Sequence, residues 1–305
     1  MLWGDPELQW WAGAAIALLL HPSVRCRTDK LRIRPLAYAH LPKPCLKACA
    51  SLQGSRVERT TGRKERKAIR TDSSGRRVQN SILRSIPEGE YNLLREYLEP
   101  TDLPAQHILH EAGAKIDFAY FLNDGMASLV VLTSDGRSVE VAIVGKEGIV
   151  GTPLVVGLSR GPHRAVMQIV GSGLRIKSAD LMEVLNSAPE MRLIWNRYVL
   201  VQGLQVAQIA ACNRLHDIEQ RLARWLLMCQ DRVGSETLLV THEFLAQMLG
   251  TGRPSVSLAA GILQGYGLIE NVRGTITILN RPGLENAACE CYVAMKHFNG
   301  GSGAR

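Results

Sequence analysis

Thr241-His-Glu-Phe-Leu-Ala-Gln-Met-Leu-Gly250-Thr-Gly-Arg-Pro-Ser-Val-Ser-Leu-Ala-Ala-Gly-Ile-Leu263 reads as two short helices joined by a tight turn. Thr241 offers a hydroxyl to the free N–H groups of a helix start, and Glu243 falls in the first turn, where the helix dipole favours an anion. Leu245, Met248 and Leu249 make an apolar face, and Gly250 can adopt the left-handed conformation that ends a helix. Pro254 stands where a second helix should begin, because a missing N–H costs nothing in a first turn. Val256, Ala259, Ala260, Ile262 and Leu263 supply the buried side of that helix. Ala246 lies four residues before Gly250 and is small enough for two helices to cross. Val256 follows Gly250 by six, and together these are the spacings of a helix-turn-helix.

The second helix presents Arg253, Ser255 and Ser257 near its N-terminus. An arginine can donate twice to guanine O6 and N7, and serines suit phosphates or base edges. Leu258 is placed to meet a thymine methyl. Next come Gly267-Leu-Ile-Glu270, Asn271-Val-Arg273-Gly274 and Thr275–Leu279. Two short strands about an Arg273-Gly274 turn make a hairpin wing with Arg273 at its tip, ready for a phosphate. Double-stranded DNA is the partner these donors suit. Two other classes remain open: a ligand-binding protein whose helix pair makes only protein contacts, and a cupin-like enzyme. The enzyme would need a His/carboxylate metal constellation or a nucleophile beside a base, and neither is visible.

Working back along the chain, Asp217 caps a helix carrying Ile218, Leu222, Trp225, Leu226 and Cys229, with Arg214, Arg221 and Arg224 expected on exposed positions. Before it, about 25 residues from Glu190 to Leu215 read as one long helix. Met191, Ile194, Trp195, Tyr198, Val201 and Leu204 follow one another at steps of three and four, which suggests the seam of a parallel helix pair in a homodimer. Earlier still, Phe118–Leu122, Ala127–Leu132, Val139–Val144 and Ala165–Val170 are rich in β-branched residues. Asn123-Asp-Gly125, Ser134-Asp-Gly136, Gly145–Gly151 and Gly161-Pro162 punctuate them. Turns about ten residues apart predict an antiparallel β-roll of the jelly-roll kind rather than a βαβ fold. A helix carrying Tyr91, Leu94 and Leu98 is expected to follow Pro87.

The 305 residues are 46% hydrophobic and 21% charged, with a net charge of +8. Residues 1–80 hold 16 Lys/Arg against 6 Asp/Glu, and residues 81–305 hold 20 against 22. The positive excess therefore belongs to the first quarter of the chain, and any DNA-binding part must work through a local patch. No run reaches the roughly 18 apolar residues of a membrane span, and the start lacks the basic region of a secretory signal; the expected location is cytoplasmic. The seven cysteines, at 26, 45, 49, 212, 229, 289 and 291, form no disulfide pattern. Cys26, His40, Cys45 and Cys49 match no zinc spacing. Cys289 and Cys291, one residue apart, would fall on different sides of a helix, so free thiols and no metal are expected.

A β-roll, a long helix and a winged helix-turn-helix in that order resemble the Crp/Fnr family of bacterial transcription regulators over roughly residues 80–295. Phe244-Leu-Ala-Gln-Met-Leu-Gly250, Arg253, Ser255 and Gly267-Leu-Ile carry the resemblance. With the basic composition of the first quarter, it gives an α+β chain in five parts: a basic, disordered extension (1–79), a β-roll sensor (80–189), a dimerisation helix (190–213), the DNA-binding domain (214–295) and a flexible tail (296–305). It further implies a homodimer on a two-fold symmetric DNA site, with RNA polymerase and a small-molecule effector as candidate partners. Arg253, Ser255 and Ser257 would be the base and phosphate readers, with Thr241 and His242 at the DNA backbone, and Ile194, Tyr198, Val201 and Leu204 would lie in the dimer seam.

Cyclic-nucleotide-binding members of that family carry a Gly-Glu pair for the ribose and an Arg-Ser/Ala pair for the phosphate. The matching positions here are Gly151, Thr152, Arg164 and Ala165. Thr152 replaces the glutamate and cannot supply a charge-assisted acceptor, so cyclic AMP is not the expected ligand. Arg164 is left to bind another anion or to form a structural ion pair. The oxygen-sensing branch holds an iron–sulfur cluster with a cysteine in the roll. No cysteine lies between Cys49 and Cys212, so no cluster of that type is expected. His107 and His110, as candidates for haem, would point to opposite faces of a strand.

Overall fold

Asn80 starts the ordered architecture by tying the first helix to the roll. Its side chain caps α1 (Ser81–Ser85) by accepting from the Leu83 N–H, and its amide donates to Leu122 O and Gly148 O. The structure, a computed structural model, describes residues 69–300. Most of the basic extension, with the Cys26/His40/Cys45/Cys49 group, lies outside the described residues. Within the expected extension, residues 69–79 are anchored. Thr71 bridges Arg77, Val78 is buried, and Arg70 donates to Leu83 O and Ile86 O while stacking on the Tyr91 ring.

After α2 (Glu88–Arg95), seven strands form two antiparallel sheets. They are β1 (Glu99–Leu103), β2 (Ile108–His110), β3 (Phe118–Leu122), β4 (Met126–Leu132), β5 (Ser138–Val144), β6 (Arg164–Ile169) and β7 (Gly171–Lys177). One sheet runs β1-β7-β3 and the other β2-β6-β4-β5. The pair makes an antiparallel roll, as expected, and not a closed barrel. Leu103, Leu122, Leu129, Val144 and Met167 fill its interior. The short helix α3 (Thr152–Val155) lies between β5 and β6. β1, β2 and β7 escaped the sequence reading.

α4 (Ser178–Ser187) leads into α5 (Pro189–Leu215), the expected long helix. Met191, Trp195 and Tyr198 turn into the chain's own core, where Trp195 packs on Phe121 with ring centroids 5.3 Å apart. A second apolar face points outward, with Leu193, Leu200 and Leu204 exposed at 53%, 65% and 43%.

The last part comprises α6 (Ile218–Val233), β8 (Thr237–Leu239), α7 (His242–Leu249), α8 (Arg253–Gly265), β9 (Ile269–Val272), β10 (Thr275–Ile278), α9 (Arg281–Ala287) and α10 (Cys291–Gly300). The three strands form one antiparallel sheet in the order β8-β10-β9. α10 continues through the start of the expected flexible tail. Its core is continuous with the outer face of the roll's larger sheet: Val130, Ile143 and Val166 cluster with Trp225, Leu226 and Leu245. That enclosure corrects one expectation. Arg221 and Arg224 are buried rather than exposed, because α6 is covered by α8, α9 and α10 as well as by the roll.

Candidate nucleic-acid interface

The two helices of the motif are built by the local chemistry read from their sequence. Thr241 Oγ1 accepts from the Phe244 N–H at 3.1 Å and caps α7. Gly250 ends it at φ +59°, and its N–H and the following turn return to Ala246 O and Gln247 O. Gly252 caps α8 and Pro254 sits in its first turn. Ala246, Val256, Ala259 and Ala260 are buried where the helices cross. Arg253, Ser257 and Leu258 are exposed on the outer side of α8, and Ser255 is half-buried.

His242 connects three elements. Its Nε2 lies 2.7 Å from Asn271 Nδ2 on β9, and its Nδ1 lies 2.9 Å from Ser257 Oγ on α8. With Nε2 accepting from the Asn271 amide, the Nδ1 hydrogen donates to Ser257 Oγ. The bridge ties α7, α8 and the wing. Asn271 was not singled out in the sequence; only its pairing across 29 residues reveals it.

The wing turns on Arg273 and Gly274, both with positive φ (+44° and +82°), the geometry of a two-residue hairpin turn. Arg273 is exposed at its tip. Arg253, Ser257 and Arg273 are thus exposed on the surface, with His242 hydrogen-bonded to Ser257.

At the other candidate site, Gly151 takes φ +100° at the start of α3. Buried Thr152 donates its hydroxyl to Gln202 Oε1 on α5 at 2.7 Å. Tyr198 lies one helical turn before Gln202, its hydroxyl beneath Gly148, where any side chain would collide with it. Burial holds the Tyr198 phenol well above its ordinary pKa. Ala165 is fully buried, and Arg164 Nε is paired with Glu111 Oε2 at 2.7 Å. The position of the missing glutamate is therefore a link between roll and long helix, and the arginine is engaged in an ion pair. His107 is exposed and His110 half-buried, with its pKa lowered chiefly by burial.

Cys212, His216, Cys289 and Cys291 come together although 73 residues separate the two halves of the group. Their convergence was not legible: one residue apart, Cys289 and Cys291 would diverge on any helix there, but Cys289 precedes α10 and Cys291 begins it.

Residues 220–287 match the Crp-like helix-turn-helix domain. Among solved structures the described fold is similar to a protein of Eubacterium rectale assigned to the crp/fnr family of transcriptional regulators (TM-score 0.55, 17% identity, covering 66% of this chain and 94% of that one). It is also similar to the c-di-GMP responsive global regulator CLP of Xanthomonas campestris (TM-score 0.54, 16% identity, 63% and 99%). A third is FixK2 of Bradyrhizobium japonicum (TM-score 0.53, 17% identity, 63% and 98%). Curated protein sequences yield no match. Residues 220–287 thus form a Crp-like helix-turn-helix domain, and the described residues share the fold of these three structures. Among the described residues no helix is long and apolar enough to cross a membrane.

Proposed function

We propose that the chain is a homodimeric regulator that reads a two-fold symmetric site in double-stranded DNA, each subunit placing α8 in a major groove. The observation that carries this reading is the exposed N-terminal half of α8, with Arg253, Ser257 and Leu258 beside the Arg273 wing tip. Arg253 reads a base, Ser257 is aimed by His242, and Arg273 and Thr241 hold phosphates. Ser255, half-buried, contributes through the helix N-terminus. Residues 214–305 hold 9 Lys/Arg against 8 Asp/Glu, so each subunit makes few phosphate contacts and useful affinity needs a pair.

The second copy docks on the outward face of α5. Leu193, Leu200 and Leu204 continue through exposed Ala207 and Ala211 at alternating steps of three, four and seven, a seam suited to a parallel partner helix. Ile194 and Val201, half-buried, flank it; Tyr198 faces its own roll and contributes by holding α5 in place. The roll is the regulatory half, and Thr152–Gln202 is its lever on α5. An effector that moves α3 would shift the two recognition helices relative to each other, whose half-sites must lie about 34 Å apart. Thr152 and the Arg164–Glu111 pair argue against cyclic AMP.

Selection of bound sequences from a random duplex pool, with and without cyclic nucleotides, tests the reading. An enriched inverted repeat is expected. Failure to enrich any sequence, with no salt-dependent binding, would reject it.

A further inference from the structure

The C-terminal end of α5 and the start of α10 bring one ligand atom each from Cys212, His216, Cys289 and Cys291 into a space where all four lie within 4.8 Å of one another. Cys212 and His216 are one helical turn apart, with His216 capping α5. Cys212 Sγ is 3.5 Å from Cys289 Sγ, and Cys291 Sγ is 3.6 Å from His216 Nδ1. A tetrahedral zinc ion, with bonds of about 2.3 Å to sulfur and about 2.0 Å to nitrogen, requires separations of about 3.8 Å and about 3.6 Å between such atoms. An iron–sulfur cluster spreads its cysteines around several irons and sulfides and needs a wider cage.

The surroundings fit a metal as well. The His216 Nε2 hydrogen points to Glu290 Oε1 at 3.1 Å, which sets the tautomer that leaves the Nδ1 lone pair facing the three sulfurs. Gln208 Nε2 donates to Cys291 Sγ at 3.1 Å, a bond that favours thiolate. Arg224 is only 2% exposed, its Nε has no partner, and its hydrogen bonds go to the Met228 and Met295 sulfurs. Arg224 makes no direct ion pair among the described residues, and buried Glu140 acts on it only at longer range, so its burial is costly. Three thiolates on a divalent ion leave one negative charge beside it, within reach of Arg224.

We propose that Cys212, His216, Cys289 and Cys291 bind one zinc ion in a closed, four-ligand structural site. The ion clamps the end of the long helix to the last helix of the DNA-binding domain, next to the joint at residues 216–217 where the chain passes from α5 to α6. It thereby sets the angle at which the reader helix leaves the long helix. The site replaces four protons or lone-pair contacts with metal bonds: three thiols each lose a proton to solvent and the imidazole binds through a free lone pair.

Metal analysis of the full chain, purified without chelator under reducing conditions, tests the proposal. About one zinc per chain is expected, unchanged when Cys26, Cys45 and Cys49 are all replaced by serine. Cys289→Ser is expected to lower the content at least tenfold, while Cys229→Ala, which removes a buried thiol of α6 outside the group, retains it. As a control for misfolding, His216→Cys should keep the metal. With cobalt in place of zinc, the native chain should show the ligand-field bands of a tetrahedral thiolate site, and His216→Cys should raise the sulfur-to-cobalt absorption by about a third. Any of four results overturns the proposal: a metal-free chain, iron with acid-labile sulfide, a Cys212–Cys289 disulfide, or zinc that survives Cys289→Ser.

Discussion

Trp225 on α6 donates its indole N–H to Glu140 Oε1 on β5 at 2.8 Å, and Ser128 Oγ on β4 donates to the other carboxylate oxygen at 2.5 Å. The carboxyl is buried, and burial pushes its pKa up to about 7. One side chain of the roll is thus held jointly by its own sheet and by the helix-turn-helix domain. Trp225→Phe keeps most of the ring packing and leaves the buried carboxyl short of a donor. A loss of about 1–3 kcal/mol is expected, read as a lowered denaturant midpoint. An unchanged midpoint would mean that the bond contributes nothing net.

The same carboxyl makes stability depend on pH. Its folded pKa lies above the ordinary value of 4.5, so the folded state holds the proton more tightly than the unfolded chain. The contribution is fully present below about 4.5 and is lost as pH rises through about 7. Relative to Glu140→Gln, the native chain should lose about 3 kcal/mol between pH 4.5 and pH 8. Paired denaturation curves at the two pH values give the difference directly; parallel behaviour of the two proteins would place the pH response elsewhere.

Arg253 begins α8 in full exposure. Arg253→Ala should cost about 1–3 kcal/mol in binding and relax preference at one base pair of each half-site. A competition series over single-base variants measures both. Equal weakening on every sequence would show that Arg253 holds a phosphate instead.

Leu200 and Leu204 are exposed on the face of α5 that turns away from the roll. Leu200→Glu with Leu204→Glu should leave the monomer fold intact, since neither is in the core, and should abolish the pair. Light scattering should then give the monomer mass, and affinity for a two-half-site duplex should fall at least a hundredfold. A dimer that persists in this variant would place the interface on another surface.

Gly250 combines φ +59° with a close approach: a Cβ there would stand 2.9 Å from Val139 Cγ2 on β5. Gly250→Ala meets both obstacles and should lower stability by about 1–3 kcal/mol. Val139→Ala should recover the part due to the contact, which separates the clash from the backbone strain. No recovery would assign the whole cost to φ.

How far the sequence could be read depended on the distance over which each feature is decided. The helix-turn-helix was legible because its signals are local: a threonine cap, a left-handed glycine, a proline in a first turn and a wing turning on Arg273-Gly274. β1, with the sequence Glu-Pro-Thr-Asp-Leu, and β7, with two glycines, carry no strand pattern of their own. They are strands because each pairs with a neighbour across the sheet. α5 is apolar on two sides, and periodicity alone cannot assign one to the core; the roll takes Trp195 and Tyr198 and leaves Leu200 and Leu204 outside.

By itself, the sequence determined the order of the helices and strands it could read and the helix-turn-helix, because hydrophobic period, caps and turn residues act within a few positions of themselves. Tertiary structure alone decided what those parts do to one another. It buried Arg221 and Arg224, joined His242 to Asn271, set Trp225 on Glu140 and gathered Cys212 and His216 with Cys289 and Cys291. Each of these depends on packing between segments far apart in the chain, for which no local pattern of residues is a substitute.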